Sequence, residues 1–494
     1  MAKTVVCACE DVTVDEVRRA FALGHRDLES VKRYTGLGTG PCQGKSCVAV
    51  AVRELLRLGA TPGEVLPFTA RPPVQPVPLG DLAALDPAAL PLDPGVPPRA
   101  EGPPRPPPPD PARALPARAD VVIVGGGIMG LALAWELARR GRTDVLVLER
   151  SYLNAGASGR NGGGVRAQWS TPTMIRLARR SLALCDRFAV EMGVNVWFRR
   201  GGYLFLAPTR EQVARIEQNA ELHRREGLRT RVVSPDEARE IVPPLDGSRF
   251  LAASWNPDDG VVFPWPFLWG YASRAEALGA RLRTFTPVTG FETSGRRVTA
   301  VVTSEGKVAC DSVVVASGAW SKEVAALAGV RLPNRPTRHE ICVTEPLKPW
   351  LDPLVSVLGT GLYFSQSQRG EIVGGMGDPG EPEGLVQGST LRFLSRFARG
   401  ATAAIPALAG VKVVRQWAGC YDVTPDNNPV LGAAGFDNFL QLSGFVGHGF
   451  MMAPAVAELY ATWMTGGAKD EILERLTMAR FSRGDIAKED FIIG

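Results

Sequence analysis

The stretch Ala119-Asp120-Val121-Val122-Ile123-Val124-Gly125-Gly126-Gly127-Ile128-Met129-Gly130 decides how the larger part of this chain folds. Its first half is a short, β-branched apolar run bounded by glycines, which predicts a buried parallel strand. Its second half spells G-x-G-x-x-G at Gly125, Gly127 and Gly130. Leu131 to Arg140 then predicts a helix stopped by Gly141, and Val145 to Leu148 a second strand with Glu149 at its end. The spacing has a physical reading. Gly125 permits the tight turn. Gly127 lets the backbone approach a pyrophosphate at the positive helix N-terminus, and Gly130 lets helix and strand pack closely. Glu149 can accept hydrogen bonds from ribose hydroxyls, and its charge disfavours a 2′-phosphate. The fingerprint by itself leaves FAD and NAD open.

Upstream, the composition changes. Seventeen of the 40 prolines fall between Pro72 and Pro116. Proline fixes φ and removes a backbone donor, so 69–118 reads as an extended linker or docking arm. The part after Leu90 is the candidate for a flexible tether. The linker divides a small unit, 1–68, from a large one, 119–494. Within the large unit, 119–200, 300–335 and 411–465 are expected to hold the dinucleotide, and 201–299 and 336–410 the substrate. The whole predicts an α/β (α+β overall) protein: a Rossmann-like domain, a mixed-sheet substrate domain and a small helical N-terminal domain. A net charge of +5 spread along 494 residues argues against nucleic acid. No apolar run is long enough to span a membrane, and the N-terminus lacks a signal-peptide core. The expectation is cytoplasmic, at most peripheral to a membrane.

Four of the eight cysteines lie in the small unit, as Cys7-x-Cys9 and Cys42-x4-Cys47. Between them Asp11 to Ala22 predicts a helix, with Thr13 and Glu16 as a capping box, and Leu28 to Tyr34 a second. Val48 to Leu58 predicts a third. Two cysteine pairs on loops can surround one metal centre, and their spacing leaves structural zinc and a [2Fe–2S] cluster about even. Val6 to Thr13 together with Gly38-Thr39-Gly40-Pro41-Cys42-Gln43-Gly44-Lys45-Ser46-Cys47 resembles the bacterioferritin-associated-ferredoxin-like [2Fe–2S] domain. That resemblance implies an iron–sulfur centre on Cys7, Cys9, Cys42 and Cys47. Arg71 to Leu79 resembles the tail that follows this domain in proteins that carry it, and by that resemblance alone is a docking candidate. Cys185, Cys310, Cys342 and Cys420 read as packing residues.

Three segments of the large unit resemble the D-amino-acid-oxidase-like flavoproteins. The first is Leu153 to Arg166, the second Val313 to Ser321. The third comprises Tyr421 to Asp426, Pro429 to Gly432 and Ser443 to Met451. The resemblance covers 119–494 and lies nearest sarcosine oxidase β subunits and the related subunits of proline dehydrogenase, opine oxidase and hydrogen cyanide synthase. It implies FAD on Gly125, Gly127, Ile128, Met129, Gly130, Glu149, Arg150, Ser158, Gly159, Asn161, Gly162, Gly163, Ser317, Gly318, Trp320, Gly419, Gly447, His448, Gly449, Phe450 and Met451. It also implies hydride transfer from the C–H beside a nitrogen, with a mixed sheet roofing the flavin. Arg166 aligns with a substrate-carboxylate arginine, the alternative being that it packs on the flavin or pairs with another group, and Arg160 is a weaker candidate for that role. His448, His339 and Tyr421 complete the expected catalytic set. His448 is expected near the flavin ring, tuning its charge, with a plain turn histidine as the alternative, and for His339 a plain strand histidine is the equal alternative. Met451 stands where monomeric sarcosine oxidase has a lysine. Gly419, not Cys420, aligns with its flavin-linking cysteine, so covalent FAD is not expected. Pro264 takes the place of the histidine that carries FMN in heterotetrameric sarcosine oxidase. Covalent FMN is therefore not expected, while non-covalent FMN at a subunit boundary stays open.

The expected function is oxidation of a C–N bond in a secondary amine or an amino or imino acid. Sarcosine, proline, hydroxyproline, glycine and opines all fit. Electrons would leave through [2Fe–2S] to a quinone or a partner flavoprotein, with or without further subunits. The alternatives are an oxygen-using oxidase with a structural metal module, and an electron-transfer subunit of a larger complex.

Overall fold

The computed structural model describes residues 3–65, 68, 71–93 and 114–492. The small unit is a three-helix cluster. Val5–Cys7 pairs antiparallel with Val12–Thr13, and helices Val14–Ala22, Leu28–Thr35 and Val48–Arg57 follow. Thr13 closes the capping box with Glu16, so the first helix starts at Val14 rather than Asp11. Asp11 instead takes a positive φ of 53° in the turn between the paired strands. Val17, Leu28, Val31, Ala51 and Leu55 form the apolar centre, every one at 0–1% exposure. Apolar residues three and four apart on each helix account for this.

Part of the expected linker is folded. Val77–Pro78 adds to a sheet edge against Lys412 and Val413, where proline costs no ladder bond. Leu79–Ala84 is a helix whose Leu79 and Leu82 are buried in the core of the large unit. Ser395 Oγ and Arg392 Nη1 donate to the carbonyls of Leu85 and Pro87 at 2.8 and 2.6 Å. The segment is thus partly helical and core-forming, because its prolines thin out where Leu79, Leu82 and Leu85 alternate with small residues. Residues 94–113, most of the proline-rich tether, lie outside the described residues.

Two sheets build the large unit. The first has eight strands, with parallel pairs at its centre: Arg281–Arg283, Val145–Leu148, Arg118–Val124 and Gly306–Val315 stand side by side in that order. Phe439–Ser443 also runs parallel to Gly306–Val315. Helix Ile128–Ala138 packs on this sheet with every residue buried, and Gly449–Met464 packs on that helix. The second sheet has nine strands. Its order is Val77–Pro78, Lys412–Val423, Arg335–Pro346, Glu371–Met376, Leu362–Gln366, Leu354–Val357, Tyr203–Ala207, Ala252–Asn256 and Arg231–Val233. Helix Leu391–Ala404 backs it.

Two expected boundaries move. Arg281–Arg283 and Val288–Ser294, assigned from the sequence to the substrate part, belong to the first sheet. Lys412–Val423, assigned to the dinucleotide part, is a strand of the second sheet. In both places the chain crosses between sheets within one connection, and strand pairing, not local pattern, decides which sheet it joins.

Candidate active site and cysteine module

A cavity of about 790 Å³ lies between the two sheets. At one end its wall is backbone. Gly125 has φ 121°, and a Cβ there would stand 2.4 Å from the Ala316 carbonyl oxygen; on Gly130 it would stand 2.1 Å from the oxygen of Gly125. Helix Ile128–Ala138 begins at Gly127 with no capping side chain, although Ile128 N donates to Ser158 Oγ at 3.0 Å. This is the cradle a pyrophosphate requires. The carboxylate of Glu149 lines the same end and accepts from Gly126 N and Ser151 N at 2.9 and 2.8 Å. Burial, against those bonds, holds its pKa above the usual carboxylate range. The Arg150 guanidinium stacks on Trp320 at 4.4 Å, and both line the cavity with Ser317 and Gly318. Gly130 and Gly159 act outside the lining, by close packing: a Cβ on Gly159 would meet the Asn154 oxygen at 2.4 Å.

At the other end the wall is side chain. Asn161, Gly162 and Gly163 line it from below, with Gly447, His448, Gly449, Phe450 and Met451 at the start of helix Gly449–Met464. From the second sheet come His339, Tyr363, Ser365, Gly419, Tyr421 and Tyr203. His339 stacks on Tyr421 with ring centroids 4.3 Å apart, and its Nε2 lies 3.1 Å from the Tyr363 hydroxyl. The hydroxyls of Tyr363 and Tyr421 hydrogen-bond to each other. Burial pushes His339 down to about 3 and both tyrosines up, so the cluster is neutral at ordinary pH. Gly375 makes room for it: a Cβ there would lie 2.7 Å from both His339 Nε2 and Tyr363 Oη.

The structure brings His339, Tyr421 and His448 to the cavity but not Arg166. Arg166 is 1% exposed and lies behind the wall. Its guanidinium donates to the carbonyls of Gln168 and Phe491, the latter at 2.6 Å, and stacks over Trp169 at 4.1 Å. Its Nε is buried without a partner, but Arg166 is not among the residues lining the cavity, so it does not face the space where a carboxylate was expected to meet it. Arg160 does line the cavity, yet donates to the carbonyls of Ala155 and Ala418 at 3.1 and 3.0 Å. Tyr203, Tyr363 and Ser365 went unnoticed in the sequence. Tyr363 and Ser365 carry a detectable signal, since they alternate with Leu362 and Phe364 along one strand and so share a face.

The small unit docks beside this cavity. The Arg33 guanidinium stacks at 4.6 Å on Tyr152, itself a lining residue, and Tyr34 meets Trp269 at 5.3 Å. Glu10 forms an ion pair with Arg369, and Gln43 Nε2 donates to the Pro73 carbonyl at 3.2 Å. The four thiols are neighbours. Cys9 hydrogen-bonds Cys42, Cys7 hydrogen-bonds Cys47, and the two pairs feel each other's charge. Burial pushes the Cys42 thiol up, but the Cys9 contact and the N–H groups of Ser46, Gly44 and Lys45 outweigh it, so its pKa is lowered. A soft four-sulfur donor set ringed by amide donors suits a thiolate-ligated centre. As hydrogen-bonded pairs, however, these side chains do not stand as a metal-holding group: among the described residues no three His, Cys, Asp or Glu do. Cys185, Cys310, Cys342 and Cys420 are buried elsewhere.

Comparison with known proteins agrees with this geometry. Residues 120–463 match the family described as FAD dependent oxidoreductase, and residues 1–86 match the sarcosine oxidase A3 domain. The chain is 30% identical over 379 residues to the sarcosine oxidase subunit beta of Rhodobacter capsulatus, covering 75% of this chain and 91% of that one. The structure of L-proline dehydrogenase from P. horikoshii superposes with a TM-score of 0.72 at 36% identity, over 76% of this chain and all of that one. Glycine oxidase from Geobacillus kaustophilus superposes with a TM-score of 0.68 at 25% identity, over 77% and 100%.

Proposed function

This chain belongs to the FAD-dependent oxidoreductase family and oxidises amine or amino-acid substrates; from that premise we propose that it is a dehydrogenase with a one-electron relay in the same chain. FAD fills the cavity without a covalent bond and accepts hydride from the carbon next to the substrate nitrogen. The substrate is a secondary amine or an amino or imino acid of the sarcosine, proline, hydroxyproline, glycine or opine class. Cys7, Cys9, Cys42 and Cys47 hold a [2Fe–2S] cluster that hands electrons to an acceptor other than oxygen.

The observation that carries this reading is that the small unit, which holds four neighbouring thiols, docks beside the cavity through Arg33 and Tyr152. A two-electron acceptor beside a one-electron carrier suits a quinone or flavoprotein acceptor. Gly125, Gly127 and Gly130 admit the pyrophosphate, and Glu149 takes the ribose. His339, Tyr363 and Tyr421 form a neutral roof that accommodates an uncharged amine and excludes water. With Arg166 behind the wall, the hydroxyls of Tyr203, Tyr363, Tyr421 and Ser365 and the guanidinium of Arg160 are among the donors the wall offers a substrate carboxylate. Relatives of the sarcosine oxidase β type support assembly with further subunits.

The test is anaerobic reduction by a panel of these substrates, followed by EPR and by iron and labile-sulfide analysis. A cluster signal appearing on substrate addition is expected. Zinc without labile sulfide would remove the relay. The hydrogen-bonded thiol pairs Cys9–Cys42 and Cys7–Cys47 also fit one second reading, an oxygen-using oxidase with a structural small unit. Rapid hydrogen peroxide release on aeration of the reduced protein would select it.

A further inference from the structure

Arg166 lies behind His448, and a separate segment keeps it there. Residues 487–491 run across the turn at Asp426 to Asn428. Asn428 Nδ2 donates to the Ala487 carbonyl at 2.7 Å, Glu489 N to that of Asp426 at 3.0 Å, and Asn427 Nδ2 to that of Glu489 at 3.0 Å. The Glu489 carboxylate accepts from Ser170 N at 2.8 Å and Thr171 Oγ1 at 3.1 Å, which ties the segment to the chain just beyond Arg166. Phe491 is 2% exposed, its ring 4.4 Å from that of Phe205, and its carbonyl receives Arg166 Nη2 at 2.6 Å.

The same Nη2 faces His448 Nε2 at 3.5 Å, and the His448 ring stands edge-on to Trp169 at 4.7 Å. A guanidinium has only donors, so the ring nitrogen facing it must be the one with the lone pair. The proton then sits on Nδ1, which is buried without a partner in the protein. His448 itself lines the cavity. The sequence runs strap, arginine, histidine, cavity.

We propose that Arg166 is a positioning residue: clamped by the strap at 487–491, it orients the His448 ring and sets a fixed positive charge one imidazole behind the cavity wall, so that the cavity favours negative charge on its occupant. This rests on FAD filling the cavity. Burial pushes Arg166 down to about 10, which still leaves it charged at neutral pH, and keeps that charge poorly screened; His448, pushed well below its ordinary range by burial and then by Arg166, adds no charge of its own.

Sulfite is a suitable probe, because its lone pair forms a bond to N5 of an oxidised flavin and leaves the adduct negatively charged. The purified full chain with its flavin is titrated with sulfite and followed by the loss of flavin absorbance. Arg166→Met should weaken sulfite binding by about tenfold or more at unchanged flavin content, and Arg166→Lys should restore most of it. Asn427→Gly, which removes the bond to the Glu489 carbonyl and so loosens the strap without changing any charge or touching the cavity, should give an intermediate loss. Sulfite affinity within about twofold of the parent in Arg166→Met overturns the inference. If that variant loses its flavin, Asn427→Gly decides, and unchanged affinity there overturns it. A parent chain that carries no flavin overturns the cofactor reading and this inference together; an unmoved affinity with flavin bound overturns this inference alone.

Discussion

The Gly125–Gly130 end of the cavity is walled by backbone, the His339–Tyr421 end by side chains. In the first, backbone atoms leave no space for a Cβ: those of Ala316 at Gly125, and those of Gly125 itself at Gly130. In the second, His339, Tyr363 and Tyr421 come from three strands of the nine-stranded sheet and lean on one another. The difference is one of tolerance. A backbone wall has nothing to trim, so an added atom must displace the chain or the ligand. A side-chain wall can lose a hydroxyl and keep its shape.

The largest effect should therefore come from Gly130→Val. Its Cβ would collide with the Gly125 carbonyl oxygen at 2.1 Å, so the purified variant should carry essentially no flavin, read by absorbance after gel filtration. Flavin retained at parental levels would break the contrast between the two ends. At the side-chain end, Tyr421→Phe should keep the flavin and lower kcat by about tenfold, the worth of one buried hydrogen bond. Loss of flavin in that variant would show that the roof also carries the cofactor.

A smaller effect follows from pH. His339 is held at about 3 in the folded chain, against an ordinary value near 6.5. Its folded value is depressed, so its neutral form stabilises the fold above pH about 6.5, and that contribution is lost as pH falls toward 3. His339→Asn should flatten the fall of Tm across this window by a few degrees, measured by calorimetry with the flavin bound. The same reasoning expects no ionisation of His339 in the pH profile of kcat between pH 5 and 8. The smallest change should come from Arg369→Ala, which removes the partner of Glu10. Its partly exposed side chain makes about 1 kcal/mol or less a reasonable worth, visible as faster proteolysis of the small unit.

The backbone end was readable because everything it needs is local. Gly125, Gly127, Gly130 and Glu149 are spaced by the geometry of a strand, a turn and a helix, and that geometry is encoded within thirty-odd residues. Thr13 and Glu16 were readable for the same reason: a capping box spans four residues. Arg166 stayed undecided in the sequence because its chemistry is not local. A single arginine in a glycine-rich stretch fits a substrate carboxylate or a partner within the protein equally well, and the bond to the carbonyl of Phe491, 325 residues away, is visible only in the fold. Tyr203 escaped notice because nothing in its neighbourhood distinguishes a cavity-facing tyrosine from a core one, and the alternation that puts Tyr363 and Ser365 on one face does not say which face meets the cavity. Leu79 and Leu82 were hidden by the prolines around them, although their burial joins the arm to the large unit.

The sequence by itself determined the dinucleotide unit and the division at the proline-rich stretch, since each rests on short-range backbone rules, and it put four cysteines in the small unit, although the fold sets Cys9 against Cys42 and Cys7 against Cys47. Tertiary structure alone decided three things: that the small unit sits against the cavity through Arg33 and Tyr152, that the neutral roof is assembled from three strands, and that Arg166 stands behind His448 rather than in front of it. These depend on which surfaces the folded sheets bring together, and a buried charge goes where carbonyl oxygens can receive it.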